Sequence, residues 1–230
     1  MNQMRVKKIF IDESGRKTME INVLPEKYCT FDCVFCPLGH NGVTTSKAFH
    51  FSETDPFLLS LSEQIDRENP DVLFINSMGE AFSNDQLEDF ISLARAKGVK
   101  VSLYSNGFLL GEPEYARLAS MCDEVSCEVK AVDEASFQKF QRPFEGCTLE
   151  QYLDNMAGFR KNYKGELVAY VCLVKGMNDG SECAARIREN LSRVNPDRVI
   201  VETVTDDKFG KGFGVSSDCI KKMQREILKD

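Results

Sequence analysis

Six short apolar runs, each followed by a stretch long enough for a helix, constrain the fold of this chain more than any other feature. They are Met19–Leu24, Val72–Ile75, Val99–Tyr104, Glu124–Val129, Leu167–Val174 and Val199–Val204. Each is rich in β-branched and aliphatic residues and nearly continuous in apolar character, the mark of a strand covered on both faces. The intervening sequence predicts helices over Pro56–Glu68, Asp85–Lys97, Pro113–Ala119, Glu134–Phe140, Leu149–Lys161 and Glu182–Arg193, with a last one over Asp218–Leu228. Asp85, Ser181 and Ser217 offer capping oxygens near helix starts.

Strands alternating with helices imply βα units around a parallel sheet. Six units fall short of the eight in a closed barrel. The predicted fold is therefore α/β, a partial (β/α)6 TIM-type barrel with a short N-terminal β lead-in and a C-terminal helix. Val6–Ile11 and Thr18–Val23, joined across Ser14-Gly15, supply the lead-in. No internal repeat or low-complexity linker interrupts the chain, so residues 1–230 read as a single domain.

Sites in parallel α/β folds collect at the carboxyl ends of the strands. The connection after the first strand carries Cys29, Cys33 and Cys36 in a C-x3-C-x2-C array, within Lys27–Pro37. Thiolates ligate iron–sulfur clusters, and three of them leave the fourth iron of a [4Fe–4S] cube open to a small chelating molecule. Two other readings stand beside this one. The cysteines fit small buried apolar positions, or with His40 they fit a closed tetrahedral zinc site. Nine cysteines, an odd number in a long chain without an export signal, argue for reduced thiols or metal ligands over disulfides.

The array, with aromatic Phe35 before its last cysteine, resembles that of the radical S-adenosylmethionine (radical SAM) superfamily. Four later segments, each after a predicted strand, extend the resemblance. Asn76-Ser77-Met78-Gly79-Glu80-Ala81 is similar to the family's Gly-Gly-Glu-Pro segment, with Met78 and Ala81 as departures. Tyr104-Ser105-Asn106-Gly107 is similar to its Thr-Asn-Gly segment. Glu128-Val129-Lys130-Ala131-Val132-Asp133 resembles the Ser-Leu-Asp-Ala stretch of molybdenum-cofactor-type and wyosine-synthase-type members, with Glu128 and Lys130 as departures. Leu173-Val174-Lys175-Gly176-Met177-Asn178-Asp179 is similar to the Val-Pro-Gly-Val-Asn-Asp segment.

The resemblance implies a [4Fe–4S] cluster on Cys29, Cys33 and Cys36, and S-adenosylmethionine bound near Phe35, Met78, Gly79, Glu80, Ser105, Asn106, Glu128, Lys130 and Val174. Glu80 is expected to meet the cofactor's ammonium, Glu128 its ribose, and Lys130 its carboxylate or a substrate anion. The implied reaction is reductive cleavage of the sulfonium to methionine and a 5′-deoxyadenosyl radical, which abstracts a substrate hydrogen. The electron would come from a donor such as flavodoxin or ferredoxin.

Without a second compact cysteine array, Cys122, Cys127, Cys147, Cys172, Cys183 and Cys219 are mostly expected in the core, with Cys147 in the Pro143–Thr148 loop the one to watch. Phe31, Phe35, Phe51 and Phe57 are expected to form core and cluster shielding, and His40 and His50 to sit in an exposed loop. Only those two histidines are present, which disfavours hydrolase chemistry built on a histidine base. No run approaches the ~18 apolar residues of a membrane span, and no signal peptide is visible, so a cytoplasmic location is expected.

Lys and Arg number 29 against 36 Asp and Glu, a formal charge of −7 that opposes phosphate neutralisation. A small-molecule or peptide substrate is therefore favoured over nucleic acid. The wyosine-type resemblance pulls towards a tRNA base, and a partner-protein activase and a non-catalytic zinc module are the remaining alternatives.

Overall fold

The computed structural model describes residues 3–40 and 43–229. In chain order its elements are β1 (Arg5–Ile11), β2 (Lys17–Asn22), β3 (Tyr28–Cys29), β4 (Val43–Thr44), α1 (Thr54–Glu68), β5 (Val72–Ile75), α2 (Leu87–Ala96), β6 (Lys100–Tyr104), α3 (Pro113–Ala119), β7 (Glu124–Glu128), α4 (Glu134–Ser136), α5 (Leu149–Asn162), β8 (Glu166–Leu173), α6 (Ser181–Val194), β9 (Arg198–Thr203), α7 (Gly210–Phe213) and α8 (Ser217–Ile227). The main sheet has seven strands in the order β1-β2-β5-β6-β7-β8-β9. β1 is antiparallel to β2, and every other neighbouring pair is parallel. The six predicted βα strands are thus present, with β1 as the lead-in and β1 and β9 as the edges of an incompletely closed barrel.

The period-two alternation sorts the strands into two unlike faces. Met19, Ile21, Leu73, Ile75, Val101, Leu103, Val125, Leu167 and Val171 are fully buried on the face that carries the helices. The other face, lining the partial barrel, mixes polar residues with Val72, Phe74, Val168 and Ile200. It presents Thr18, Glu20, Ser102, Tyr104, Ser126, Glu128, Tyr170 and Glu202, which the strand registers place side by side. This corrects the expectation of strands apolar on both faces. The polar residues are tolerated because they are partnered. Buried Glu20, 3% exposed, accepts from Lys7 Nζ at 2.5 Å and Lys8 Nζ at 3.3 Å, and from Asn76 Nδ2 at 2.9 Å.

Three local departures have side-chain causes. The first strand ends at Asn22 and not at Leu24, because the Asn22 amide takes over the ladder's role. Its Nδ2 donates to Leu24 O at 2.7 Å and its Oδ1 accepts from Met78 N at 2.9 Å. The helix expected over Glu134–Phe140 is one α turn followed by a wide turn over Phe137–Gln141, stopped by Arg142 in the left-handed region at φ 45°. Capping also differs. Ser216, not Ser217, caps α8 by accepting from Cys219 N, Gly180 precedes α6 without a side-chain cap, and before α2 it is Asn84 whose Oδ1 accepts from Gln86 N.

Ile75, wholly buried in the interior strand β5, tests this core. Ile75→Ala is expected to cost about 2–5 kcal/mol, seen as a lower urea midpoint with an unchanged slope.

Candidate active site

The cysteine segment is held over the carboxyl ends of the parallel strands by backbone contacts. Tyr28 and Cys29 pair with Val43 and Thr44, and Tyr28 also bridges to Gly79 after β5. Glu80 N donates to Tyr28 O at 2.8 Å. Gly79 has φ +128°, and a Cβ there would lie 1.9 Å from Tyr28 O, so this crossing requires glycine. Further along, Asp32 N donates to Arg142 O at 3.0 Å and Val34 N to Phe140 O at 2.9 Å, and a turn closes with Cys36 N to Cys33 O at 3.1 Å. Beneath it, Phe31 lies edge-on to Tyr152 at 5.5 Å and to Phe137 at 5.6 Å, while Tyr152 Oη donates to Asn106 O at 2.7 Å.

A cavity of about 320 Å³ opens at this end of the sheet. Cys29, Cys33, Phe35, Cys36, Gly79, Asn106, Glu128 and Lys130 line it, bringing together residues spread over a hundred positions of sequence. Four residues predicted for the site are not on its wall. Met78 gives its amide to Asn22. Val174 is buried in a small apolar cluster with Phe35 and Val204. Ser105 and Glu80 lie behind the wall, where Glu80 Oε2 accepts from Ser105 Oγ and from Asn106 N, each at 3.0 Å, and Oε1 accepts from Phe82 N. The Glu80 carboxylate, 1% exposed, braces the β5 and β6 connections and is not among the residues that line the cavity. A carboxylate buried this deeply must be satisfied by nearby donors, and those donors turn it away from the cavity.

Electrostatics follow from this burial. Burial, and then Glu80, push the Cys29 thiol up to about 12. Burial raises Cys33 as well, with Lys130 the main opposing influence. Such thiols become ligands only where a bound metal compensates the lost proton. Asn106 Nδ2 donates to Thr30 Oγ1 at 2.7 Å and approaches Cys29 Sγ at 3.7 Å, aiming an amide at one sulfur. Lys130 pairs with Glu128 Oε2, and its ammonium sits 4.8 Å from the centre of the Phe35 ring. Burial works against that ammonium, but Glu128 and the neighbouring Cys33 and Cys172 outweigh it, and its pKa lies above the ordinary lysine value. Tyr104 Oη donates to the other Glu128 oxygen at 3.1 Å.

The radical SAM superfamily model matches residues 24–186, well over half of the chain. The chain belongs to the radical SAM superfamily. A UPF0026 protein of Methanocaldococcus jannaschii is 27% identical over 190 residues, which is 81% of this chain and 59% of that protein. The chain therefore spans about three fifths of that relative's length. The structure of TYW1 with a lysine-pyruvate adduct bound matches with a TM-score of 0.71 at 15% identity, covering 93% of this chain and 74% of that one. Native anSMEcpe with bound AdoMet and the Kp18Cys peptide matches with a TM-score of 0.66 at 13% identity, covering 91% of this chain and 58% of that one. At such identities the structural likeness speaks for the fold, a partial barrel shared with radical SAM enzymes.

Radical SAM enzymes use a [4Fe–4S] cluster and S-adenosylmethionine, and the donor set here fits the pair. Cys36 bears electrostatically on both Cys29 and Cys33, so the three thiols stand close together. Yet among the described residues no three His, Cys, Asp or Glu side chains converge as a single ion would require. A cuboidal cluster takes each thiolate on a different iron, so its ligands stay apart. His40 is exposed and directs Nδ1 to Asp32 Oδ2 at 2.9 Å. His50, also exposed, meets Asp85 Oδ1 at 3.3 Å.

All nine cysteines are free thiols, and Cys147 is buried on a separate surface cavity with Phe108 and Phe144. Asn76, Tyr104, Cys172, Glu202 and Asp206 also line the cavity, and the sequence alone assigned none of them to the site. Their signal was strand parity. Tyr104, Cys172 and Glu202 occupy the same alternating face as Glu128, two or fewer residues from the strand ends.

Two outcomes are expected. Gly79→Ala must displace the Tyr28 carbonyl, so it should destabilise the fold by at least about 1 kcal/mol and lower iron retention after reconstitution, read by calorimetry and iron assay. Burial raises Glu80 from 4.5 to about 7. A raised carboxyl pKa means that the folded chain holds the proton more tightly than the unfolded one. Stability from this group is therefore full below about 4.5 and lost as the pH climbs towards about 7. The melting temperature of the metal-free protein should fall across that window and Glu80→Gln should flatten the fall. An identical slope in the variant would show that Glu80 does not titrate there.

Proposed function

We propose that this radical SAM enzyme holds its [4Fe–4S] cluster through Cys29, Cys33 and Cys36, receives S-adenosylmethionine against Gly79 and Asn106, and removes a hydrogen atom from a small-molecule or peptide substrate. The observation that carries the reading is the single cavity shared by the three loop thiols, the close-packed Gly79 backbone, and the Glu128–Lys130 pair. When bound, cluster and cofactor supply one-electron cleavage of the sulfonium and a 5′-deoxyadenosyl radical.

The chain's own residues position these groups. Gly79, pressed against the Tyr28 carbonyl, sets the backbone that forms this part of the cavity wall. Asn106 orients Cys29 from its amide. Glu128, fixed by Tyr104 and Lys130, presents its carboxylate at the wall where ribose hydroxyls would be received. Phe35 and the small apolar cluster behind it exclude water from the thiol side.

A small substrate is supported by the charge balance and by the placement of the two densest basic stretches. Lys7 and Lys8 pair with Glu20 on the β1–β2 edge, while Lys221, Lys222 and Arg225 lie on α8, which packs against β9 and α6. A wyosine-type tRNA reaction is the second reading, favoured by the fold shared with TYW1.

Anaerobically reconstituted protein should carry about four irons per chain, and Cys33→Ala should lose them. With dithionite it should convert S-adenosylmethionine to 5′-deoxyadenosine. Zinc in place of iron, or S-adenosylhomocysteine as the main product, would overturn the proposal. In filter binding at low salt, bulk tRNA should bind weakly, and submicromolar affinity falling steeply with added salt would favour the tRNA reading.

A further inference from the structure

Towards the amino ends of the strands, below the cavity that the three thiols share, the barrel lumen holds a second cavity of about 500 Å³. Phe74, Ser102, Tyr170 and Ile200 line it from the strands, and Phe10 and Asp12 from the β1–β2 hairpin. Among the described residues Glu202 is the one that lines both cavities. It stands one residue before the end of β9, in register with Cys172 of the upper cavity and two residues beyond Ile200 of the lower one. Tyr104 of the upper wall and Tyr170 of the lower wall meet edge-on at 5.4 Å, and both rings lie within electrostatic reach of Glu202. The two spaces therefore share a boundary, and a carboxylate stands on it.

The other charged groups inside these walls are already engaged. In the upper cavity Lys130 pairs with Glu128, Lys27 Nζ donates to Gly39 O, and Asp206 accepts from the amides of Lys208 and Phe209. In the lower one Arg16 holds Asp12 at 2.8 Å, Arg198 holds Glu124 at 3.2 Å, and Ser102 Oγ donates to Glu124 at 2.9 Å. Glu13 lies outside the lumen proper, exposed at the hairpin turn. The Glu202 carboxylate is also exposed, and it has no hydrogen-bond or ion-pair partner among the described residues.

A carboxylate left open at such a junction selects by charge. An ammonium gains a charge-assisted hydrogen bond there, a neutral group of the same shape gains less, and a second carboxylate is repelled. With the charges of the lower cavity paired among themselves, Phe74, Tyr170 and Ile200 are what the body of a ligand meets. Apolar walls with one fixed polar group are how a pocket both holds and orients a small molecule.

We propose that the substrate is an amine whose ammonium pairs with Glu202 and whose apolar or aromatic body occupies the lower cavity, which leaves the carbons beside the nitrogen facing the thiol-lined space. The inference rests on the reaction proposed above and names the class of its substrate. The cofactor's own ammonium fits this carboxylate less well, because that reading receives S-adenosylmethionine against Gly79 and Asn106, after β5 and β6, whereas Glu202 is on the edge strand β9.

Calorimetric titration of the reconstituted protein, with S-adenosylmethionine and no reductant, tests the site with three probes that share a phenyl ring and a two-carbon arm: phenethylamine, phenethyl alcohol and phenylacetate. Phenethylamine should bind saturably, and the other two roughly tenfold or more weakly. Glu202→Gln should weaken phenethylamine roughly tenfold or more. Ile200→Trp, which fills the lower cavity, should weaken it comparably, with iron content and melting temperature confirming that both variants fold. No phenethylamine binding, equal binding of the alcohol, or indifference to either variant overturns the proposal. A Glu202→Gln protein that loses affinity for S-adenosylmethionine and keeps it for the amine equally overturns it, since the carboxylate then serves the cofactor. Binding is read without turnover, so a failure of dithionite-driven cleavage would overturn the assigned reaction and leave the amine site standing.

Discussion

The close crossing of the Tyr28 carbonyl over Gly79 is the contact on which the site depends. Only a residue without a Cβ permits it, and it fastens the cysteine segment to the connection after β5. Glu80, the next residue, then reaches behind the wall to Ser105 and Asn106, and Asn106 reaches forward to Thr30 and Cys29. Three connections after three different strands are thereby locked into one wall. The rigidity is that of backbone contact and buried hydrogen bonds, which tolerate little relaxation.

A second constraint is the asymmetry of the sheet. Its helix-covered face is mainly aliphatic, whereas its barrel face carries polar residues that are partnered, from Glu20 with Lys7 and Lys8 to Glu128 with Tyr104 and Lys130. The Glu128–Lys130 pair is the most exacting of these. Lys130 is 6% exposed, and removal of one member of a buried pair typically costs about 3–5 kcal/mol because the other is left uncompensated. Its position between Phe35 and the thiols makes it a fixed positive charge beside the proposed cluster ligands.

The strands were legible in the sequence because burial of one face leaves aliphatic residues at every second position whatever the other face does, and the bounds agree with the predicted ones to within two residues. The cysteine array was legible because its spacing is local. Misplaced helix starts near Asp85, Ser181 and Ser217 have a common cause, since several neighbouring side chains can cap one end and only the settled backbone selects among Asn84, Gly180 and Ser216.

The sequence by itself determined the alternation of strands and helices, the three thiols in one connection, and the glycine that must follow the second βα strand. Tertiary structure decided the rest of the wall. Glu80 lies behind the wall as an internal brace because its burial demands donors, and the neighbouring connection supplies two of them, Ser105 and Asn106. Cys172 and Glu202 entered the cavity because parallel registers carry strand parity across the sheet, a relation between residues far apart in the chain. Local spacing is set by covalent geometry and can be read directly. Which distant side chains share a cavity depends on register and on the satisfaction of buried polar groups, and both are properties of the assembled fold.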